Sequence, residues 1–174
     1  LLPRRERGDP LHKSLHAAYE STKAMAPSAS AEARIETARA AIEAALALDS
    51  SASPLRREGR ARAAQDALTV FSDELVAESD YVYQEGERAF GHGHPDPWGP
   101  LEIRAPSGEV VFVEGRIDRI DVDAGRTSAR VIDYKTGKAR GVRARDGRFQ
   151  LPLYALVAMR LGLPETSSVL VAIS

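Results

Sequence analysis

The sequence predicts an α+β fold, and three observations carry that expectation. Apolar residues recur at helical spacing up to about Glu78. Beyond Pro100 the period falls from about 3.6 to about 2 residues, in short runs bounded by Gly, Pro and Ser. A helical period returns from about Arg148 to Leu161, ahead of a last strand-like run from Val169 to Ile173. The expected order is helix, inserted helical hairpin, three-stranded antiparallel meander, helix, strand, with the helices on the faces of the meander. A chain of 174 residues suits one domain with a core of ordinary size.

The first helix is expected to start with Asp9 as N-cap and Pro10 at the first helical position. Leu11, Leu15 and Tyr19 form its apolar stripe, and His12 and His16 lie on a neighbouring one. From about Ser30 to Glu78 the chain is rich in Ala, Arg and Glu, and the SSASP stretch breaks it so that Pro54 starts a second helix. This hairpin carries no chemistry. From Glu85 to Pro100 the density of Gly, Pro and His predicts a mobile loop, with Phe90 and Trp98 as packing anchors. Strands follow at Leu101–Ala105, Val110–Val122 and Ala129–Lys135, turning at Ser107-Gly108 and Gly125-Arg126. In the following helix Leu153, Leu156, Val157 and Leu161 are the expected buried stripe, and Pro152 is tolerated in the first turn.

Hydrophobic residues make up 43% and charged residues 28%, a globular and not a disordered composition. Lys plus Arg number 24 against 25 for Asp plus Glu, so a polyanionic partner has to be argued from local patches. Cysteine is absent, which excludes disulfides, thiolate zinc sites and an iron–sulfur cluster built from this chain, and it fits a cytoplasmic setting. No apolar run reaches the roughly 18 residues of a membrane span. The sequence starts without Met and stops within SSVLVAIS, a strand-like run, from which a fragment of a longer polypeptide is expected.

The chemistry concentrates in GRIDRID (Gly115 to Asp121) and VIDYKTG (Val131 to Gly137). If the hairpin between them turns on Gly125 and Arg126 alone, as a type II′ turn, Asp118 lies directly opposite Asp133. Opposed side chains have Cβ atoms about 4.5–5.5 Å apart, where like charges are unfavourable unless a cation lies between them. Lys135 projects from the same face roughly 6–7 Å further on. Carboxylates with an adjacent ammonium suit Mg²⁺ and metal-assisted phosphodiester hydrolysis. Gln150 and Tyr154 share a helix face that looks toward the carboxylates. Lys135, Lys138, Arg140, Arg143, Arg145 and Arg148, against one acid, Asp146, suit DNA phosphates without base specificity.

Each feature also has an ordinary reading. Asp118 and Asp133 could cap strand ends or pair with Arg116, Arg119 or Lys135. His12 could be a partly buried helix histidine, and His16 is expected to be structural. The His92-Gly-His94-Pro-Asp96 run looks like a metallo-hydrolase signature, but Pro97 stands where a further His belongs. Glu102 and Glu114 could be accessory acids or solvent-facing strand residues. Gly137-Lys138 fails the phosphate-loop pattern, since Ile132 replaces its first Gly and Ala139 its Ser or Thr.

The series Gly115-x-x-Asp118-Arg119-x-Asp121, Asp133-x-Lys135-Thr136-Gly137 and Gln150-x-x-x-Tyr154 resembles the RecB-like branch of the PD-(D/E)XK nucleases, found in RecBCD, AddAB and AdnAB helicase-nucleases. RGDPLHKSL is similar to that branch's Gly-x-x-x-His element. The resemblance covers the first helix and Glu87 onward, leaves 21–80 as a helical insertion, and puts the catalytic sheet and helix in 85–174. It implies a single restriction-endonuclease-like nuclease domain over 1–174 with Mg²⁺ as cofactor, Mn²⁺ substituting. His12, Asp118, Asp133 and the Tyr134 carbonyl would be the metal ligands. Lys135 would be the catalytic lysine, with Gln150 and Tyr154 supporting the site. It further implies an exonuclease of DNA repair and recombination, working with a helicase motor in the same polypeptide or a partner subunit. The alternative is a silent nuclease-fold module that binds DNA or docks a helicase.

Overall fold

Leu11, Leu15, Ala18 and Tyr19 are all buried on one stripe of helix α1 (Arg4–Lys23), as their spacing requires. The computed structural model describes residues 4–47, 53–77, 79–136, 150–162 and 165–173. The α1 stripe packs against Ala38 and Ile42 of α2 (Ala31–Ala47) and against Ala63, Ala67, Leu68 and Phe71 of α3 (Pro54–Val76). The alanines let the helices approach closely, and each buried Leu or Phe contributes roughly 1.5–3 kcal/mol. Tyr19 donates its hydroxyl proton to Glu74 Oε2 at 2.6 Å and meets the edge of Phe71 at 5.2 Å. Arg34 donates to the Ala26 carbonyl at 2.7 Å, satisfying an acceptor just beyond the end of α1. Ser30 accepts from Ala33 N–H to open α2, and Ser53 with Pro54 opens α3 as the sequence predicts.

One expectation for α1 is overturned. The helix does not begin at Asp9 and Pro10; it begins at Arg4 and carries Pro10 in its interior. Pro10 cannot donate to the carbonyl four residues back, but Arg4, Arg5, Glu6 and Arg7 are good helix formers and the packed stripe downstream holds the helix. Ser14 Oγ donates to the Pro10 carbonyl at 2.8 Å.

Among the described residues the chain forms two compact units. One holds the three helices with the chain from Tyr134 and from Ala172; the other holds Tyr81–Asp133 and the chain up to Val171. In the second unit β1 (Tyr81–Phe90), β4 (Gly115–Asp123), β5 (Ser128–Thr136) and β6 (Glu165–Ile173) form a sheet in that order. β2 (Leu101–Arg104) and β3 (Val110–Val113) form a separate ribbon. The fold is α+β, and its three-stranded antiparallel meander is β1, β4 and β5.

The meander's strands therefore differ from those expected. Glu85 to Phe90 is strand and not loop, because a polar run with a bulge between Tyr83 and Glu85 lacks the alternation that marks a strand. Val110–Val122 is two strands: the chain leaves the ribbon at Glu114 and enters the sheet at Gly115. Gly91 makes this crossing possible, since with its φ of +142° a Cβ there would lie 2.4 Å from Glu114 Cβ.

The 91–100 segment is pinned, contrary to the mobile loop expected. Gly91 N–H donates to the Trp98 carbonyl at 2.9 Å and Trp98 N–H to the Pro95 carbonyl at 2.8 Å. Trp98 and Phe90 are buried anchors, as foreseen. Arg160 donates to the carbonyls of Gly99 and Pro100, each at 2.9 Å. Helix α4 (Gln150–Met159) packs Val157 and Ala158 onto the cluster containing Ile120 and Val131. Leu156, expected to be buried, is exposed, because it lies nearly opposite Tyr154 on the helix and Tyr154 packs on the cluster. No helix among the described residues is long and apolar enough to cross a membrane.

Candidate active site

The β4–β5 hairpin sets the register of the acidic residues. Arg119 pairs with Ile132, Ile120 with Val131, Asp121 with Arg130 and Val122 with Ala129. The ladder ends at Arg119 and Ile132, one step short of Asp118 and Asp133, which the same register extended would set opposite each other. The turn that produces it is not the expected one. Ala124 to Thr127 form the loop, Arg126 N–H donates to the Asp123 carbonyl at 3.0 Å, and Arg126, not Gly125, takes the positive φ of +53°. Asp123 accepts from Thr127 N–H at 2.8 Å and Ser128 N–H at 2.7 Å, replacing the innermost rung of a tighter turn. Chiefly the Ser128 N–H holds the Asp123 carboxyl below its ordinary value. Both loops are centred between Gly125 and Arg126, so both give one register.

Asp133 is 2% exposed, and Gln150 at the start of α4 donates to its Oδ1 at 3.1 Å. The same amide nitrogen donates to the Tyr154 hydroxyl at 2.9 Å, so one side chain fixes two others. Burial above all pushes the Tyr154 phenol up, and the charges of Asp118 and Asp133 add to this against the Gln150 hydrogen bond. Tyr154 therefore stays a neutral phenol under the influence of both carboxylates. Gly115 makes room for it: a Cβ there would lie 3.2 Å from the Phe90 ring and 3.5 Å from Tyr154 Cε1.

Sequence reasoning missed Glu87. Gly86 pairs with Arg119 and Arg88 with Ile117, which sets Glu87 across from Asp118 on β1. A carboxylate oxygen of Glu87 lies within 4.8 Å of one of Asp118. Glu87 has a φ of +50°, a left-handed conformation that costs a non-glycine residue roughly 1–2 kcal/mol and clusters at functional sites. Glu87, Asp118 and Asp133 thus form a row across three strands. Only the bulge and the backbone twist reveal it, and neither is written in the local pattern.

In the helical unit His12 Nε2 lies 3.1 Å from the Tyr134 carbonyl oxygen, with the rings edge-on at 6.2 Å. These are hydrogen-bonded when Nε2 carries the proton. The spacing also fits a cation, since neighbouring ligands about 2.1 Å from an octahedral ion are about 3.0 Å apart. Lys135 is partly buried on β5, two positions beyond Asp133. Lys138, Arg140, Arg143, Arg145 and Arg148 lie outside the described residues.

The ordinary ion pairs suggested for Asp118 and Asp133 go elsewhere in two cases. Arg119 clasps Asp121, at 2.6 and 2.8 Å, and Arg116 reaches Glu87 at 3.3 Å. His92, His94 and Asp96 are all exposed, and the His92 ring tilts against Phe112.

A family model described as the PD-(D/E)XK nuclease superfamily matches residues 1–173. The chain belongs to this superfamily. Several similar relatives are each named as a subunit of an ATP-dependent helicase/deoxyribonuclease. That of Clostridium perfringens (strain SM101 / Type A) is 37% identical over 45% of this chain and 7% of its own length. That of Symbiobacterium thermophilum is 36% identical over 59% of this chain and 9% of its own length. That of Natranaerobius thermophilus is 42% identical over 40% and 6%. The chain thus spans less than a tenth of these relatives. For a PD-(D/E)XK nuclease, the neighbouring Glu87 and Asp118 carboxylates are oxygen donors of the kind a hard divalent cation takes.

Proposed function

We propose that this chain is the metal-dependent deoxyribonuclease domain of a helicase–nuclease, working as an exonuclease in DNA repair and recombination. The observation that supports the reading is the close pair of carboxylates, Glu87 and Asp118, on neighbouring strands, with the Gln150 amide orienting Asp133 on the next strand. Within each unit, donors suited to Mg²⁺ are grouped: carboxylates in one, an imidazole and a carbonyl in the other. Asp118 and Asp133, with His12 and the Tyr134 carbonyl, would hold Mg²⁺ or Mn²⁺. The bound ion would acidify a water and polarise a phosphoryl oxygen.

The remaining work falls to side chains. Lys135 neutralises charge developing on the phosphoryl group. Gln150 holds Asp133 and Tyr154 in place, and Tyr154, kept protonated by burial, offers a neutral hydroxyl beside two acids. Lys138, Arg140, Arg143, Arg145 and Arg148 supply phosphate contacts without base specificity. The relatives' name supports a DNA substrate and a helicase partner, and the absence of cysteine fits action in the cytoplasm.

The test is degradation of end-labelled DNA with Mg²⁺, with Mn²⁺ and with EDTA. The parent chain should cut in either metal and not in EDTA. Asp133→Ala should lower the rate by about 10³-fold or more, the scale of losing one centre of transition-state charge stabilisation, with an unchanged circular dichroism spectrum. Cleavage by that variant at the parent's rate would refute the assignment. Failure of the parent to cut in either metal would favour a silent DNA-binding or helicase-docking module.

A further inference from the structure

We propose that Arg116 is a substrate-phosphate arginine that Glu87 holds in reserve, so that divalent cation and DNA bind this chain with positive coupling. The inference rests on the nuclease reading and adds to it a residue and a linkage. Arg116 stands two residues before Asp118 on β4, and its NH1 donates to Glu87 Oε2 at 3.3 Å. The pair is lopsided: the Arg116 side chain is 64% exposed and that of Glu87 only 19%. An ordinary surface pair has both partners in solvent and contributes little. Here the acid is mostly buried and has a second carboxylate within 4.8 Å, so the guanidinium supplies a counter-charge to crowded like charges.

A cation on the acid row would take over that counter-charge and leave Arg116 without its duty. The Arg116 backbone is paired with Ala89 of β1 in the sheet, so its stem stays anchored while the exposed head is able to turn. A planar guanidinium beside a phosphodiester-cleaving centre makes paired hydrogen bonds to phosphate oxygens. DNA contact by Arg116 and cation contact by Glu87 then favour each other, and coupling is reciprocal by thermodynamic necessity.

The experiment measures binding of a short fluorescein-labelled single-stranded oligonucleotide to the 174-residue chain by anisotropy, in Ca²⁺ or in EDTA, with the oligonucleotide's integrity checked on a gel. The parent should bind about tenfold more tightly in Ca²⁺, and Arg116→Ala should shrink that ratio to about twofold. Arg116→Ala should also flatten the slope of log affinity against log salt by about one. Glu87→Gln should tighten binding in EDTA and lose the Ca²⁺ response. That tightening should vanish in Glu87→Gln/Arg116→Ala, which separates release of Arg116 from simple loss of a negative charge. If Arg116→Ala keeps the parent's ratio and salt slope while the parent binds and cuts DNA, this inference fails and the nuclease reading stands. If the parent neither binds nor cuts, both fall together.

Discussion

Two buried aspartates of one β-hairpin are held in opposite ways. Asp121 is fully buried and clasped by two guanidinium groups, Arg119 at 2.6 and 2.8 Å and Arg130 at 2.9 Å. Tyr83 lies 5.9 Å from the Arg119 head and Tyr81 4.9 Å from that of Arg130. Asp133, 2% exposed, accepts from the neutral amide of Gln150. A guanidinium neutralises the carboxylate it grips; an amide orients one without itself bringing a counter-charge. The GRIDRID motif thus carries two acids of different kinds: Asp121 closes an internal ion cluster, and Asp118 joins a row suited to an external cation.

The sharpest way to break this contrast is to remove the clasped acid. Asp121→Ala leaves the buried Arg119 guanidinium without its counter-charge beside a second, partly exposed arginine, Arg130, and should cost about 3–5 kcal/mol of stability, read by urea denaturation. Asp133→Asn should change stability far less. Equal losses in the two variants would mean that both acids are structural. Next in size, Gly115→Val drives a branched side chain into the Phe90 ring and Tyr154, costing about 1–3 kcal/mol by overpacking. Because Tyr154 moves with it, cleavage should fall more than the melting midpoint suggests.

Smaller again in stability, Gln150→Ala should lose about 1 kcal/mol or less, yet lower cleavage by about 10–100-fold, as loss of a ligand's hydrogen-bonded partner does. A cleavage rate equal to the parent's would show that Asp133 needs no orienting. The smallest effect concerns the turn. The Asp123 carboxyl is held below its ordinary 3.8 value, chiefly by the Ser128 N–H. Its contribution is present above that value and is lost as pH falls through the lower folded-state value. The protection factors of the Thr127 and Ser128 amides, taken against their intrinsic exchange at each pH, should therefore fall on acidification, and Asp123→Asn should weaken that dependence.

How much of this was legible in the sequence follows from where the signals lie. Leu11, Leu15 and Tyr19 are buried because helical spacing is a property of neighbours. The register of the β4–β5 hairpin, from Val122–Ala129 to Arg119–Ile132, survived a wrong turn type because it depends on where the loop is centred. Glu87 was hidden: its strand is polar, its register follows a bulge, and its backbone is twisted to a φ of +50°. The start of α1 was misplaced because Pro10 is a strong local stop signal that packing overrode. The stripe of α4 was misassigned at Leu156 because apolar character alone does not reveal that Tyr154 faces the core cluster.

The loop from Ala124 to Thr127 gives the hairpin a rule of parity. A pair of residues added or removed evenly about its centre leaves every rung matched as before. A single insertion must be absorbed within the loop as a kink, or it slides one strand past the other and exchanges the two faces of β5, both of which are buried from Val131 to Tyr134. Asp133 would then trade places with hydrophobic Ile132, and Arg130 with Val131. Parity therefore decides only for insertions of one or two residues; a long, flexible tag grafted at this tip is taken up in the loop whatever its length.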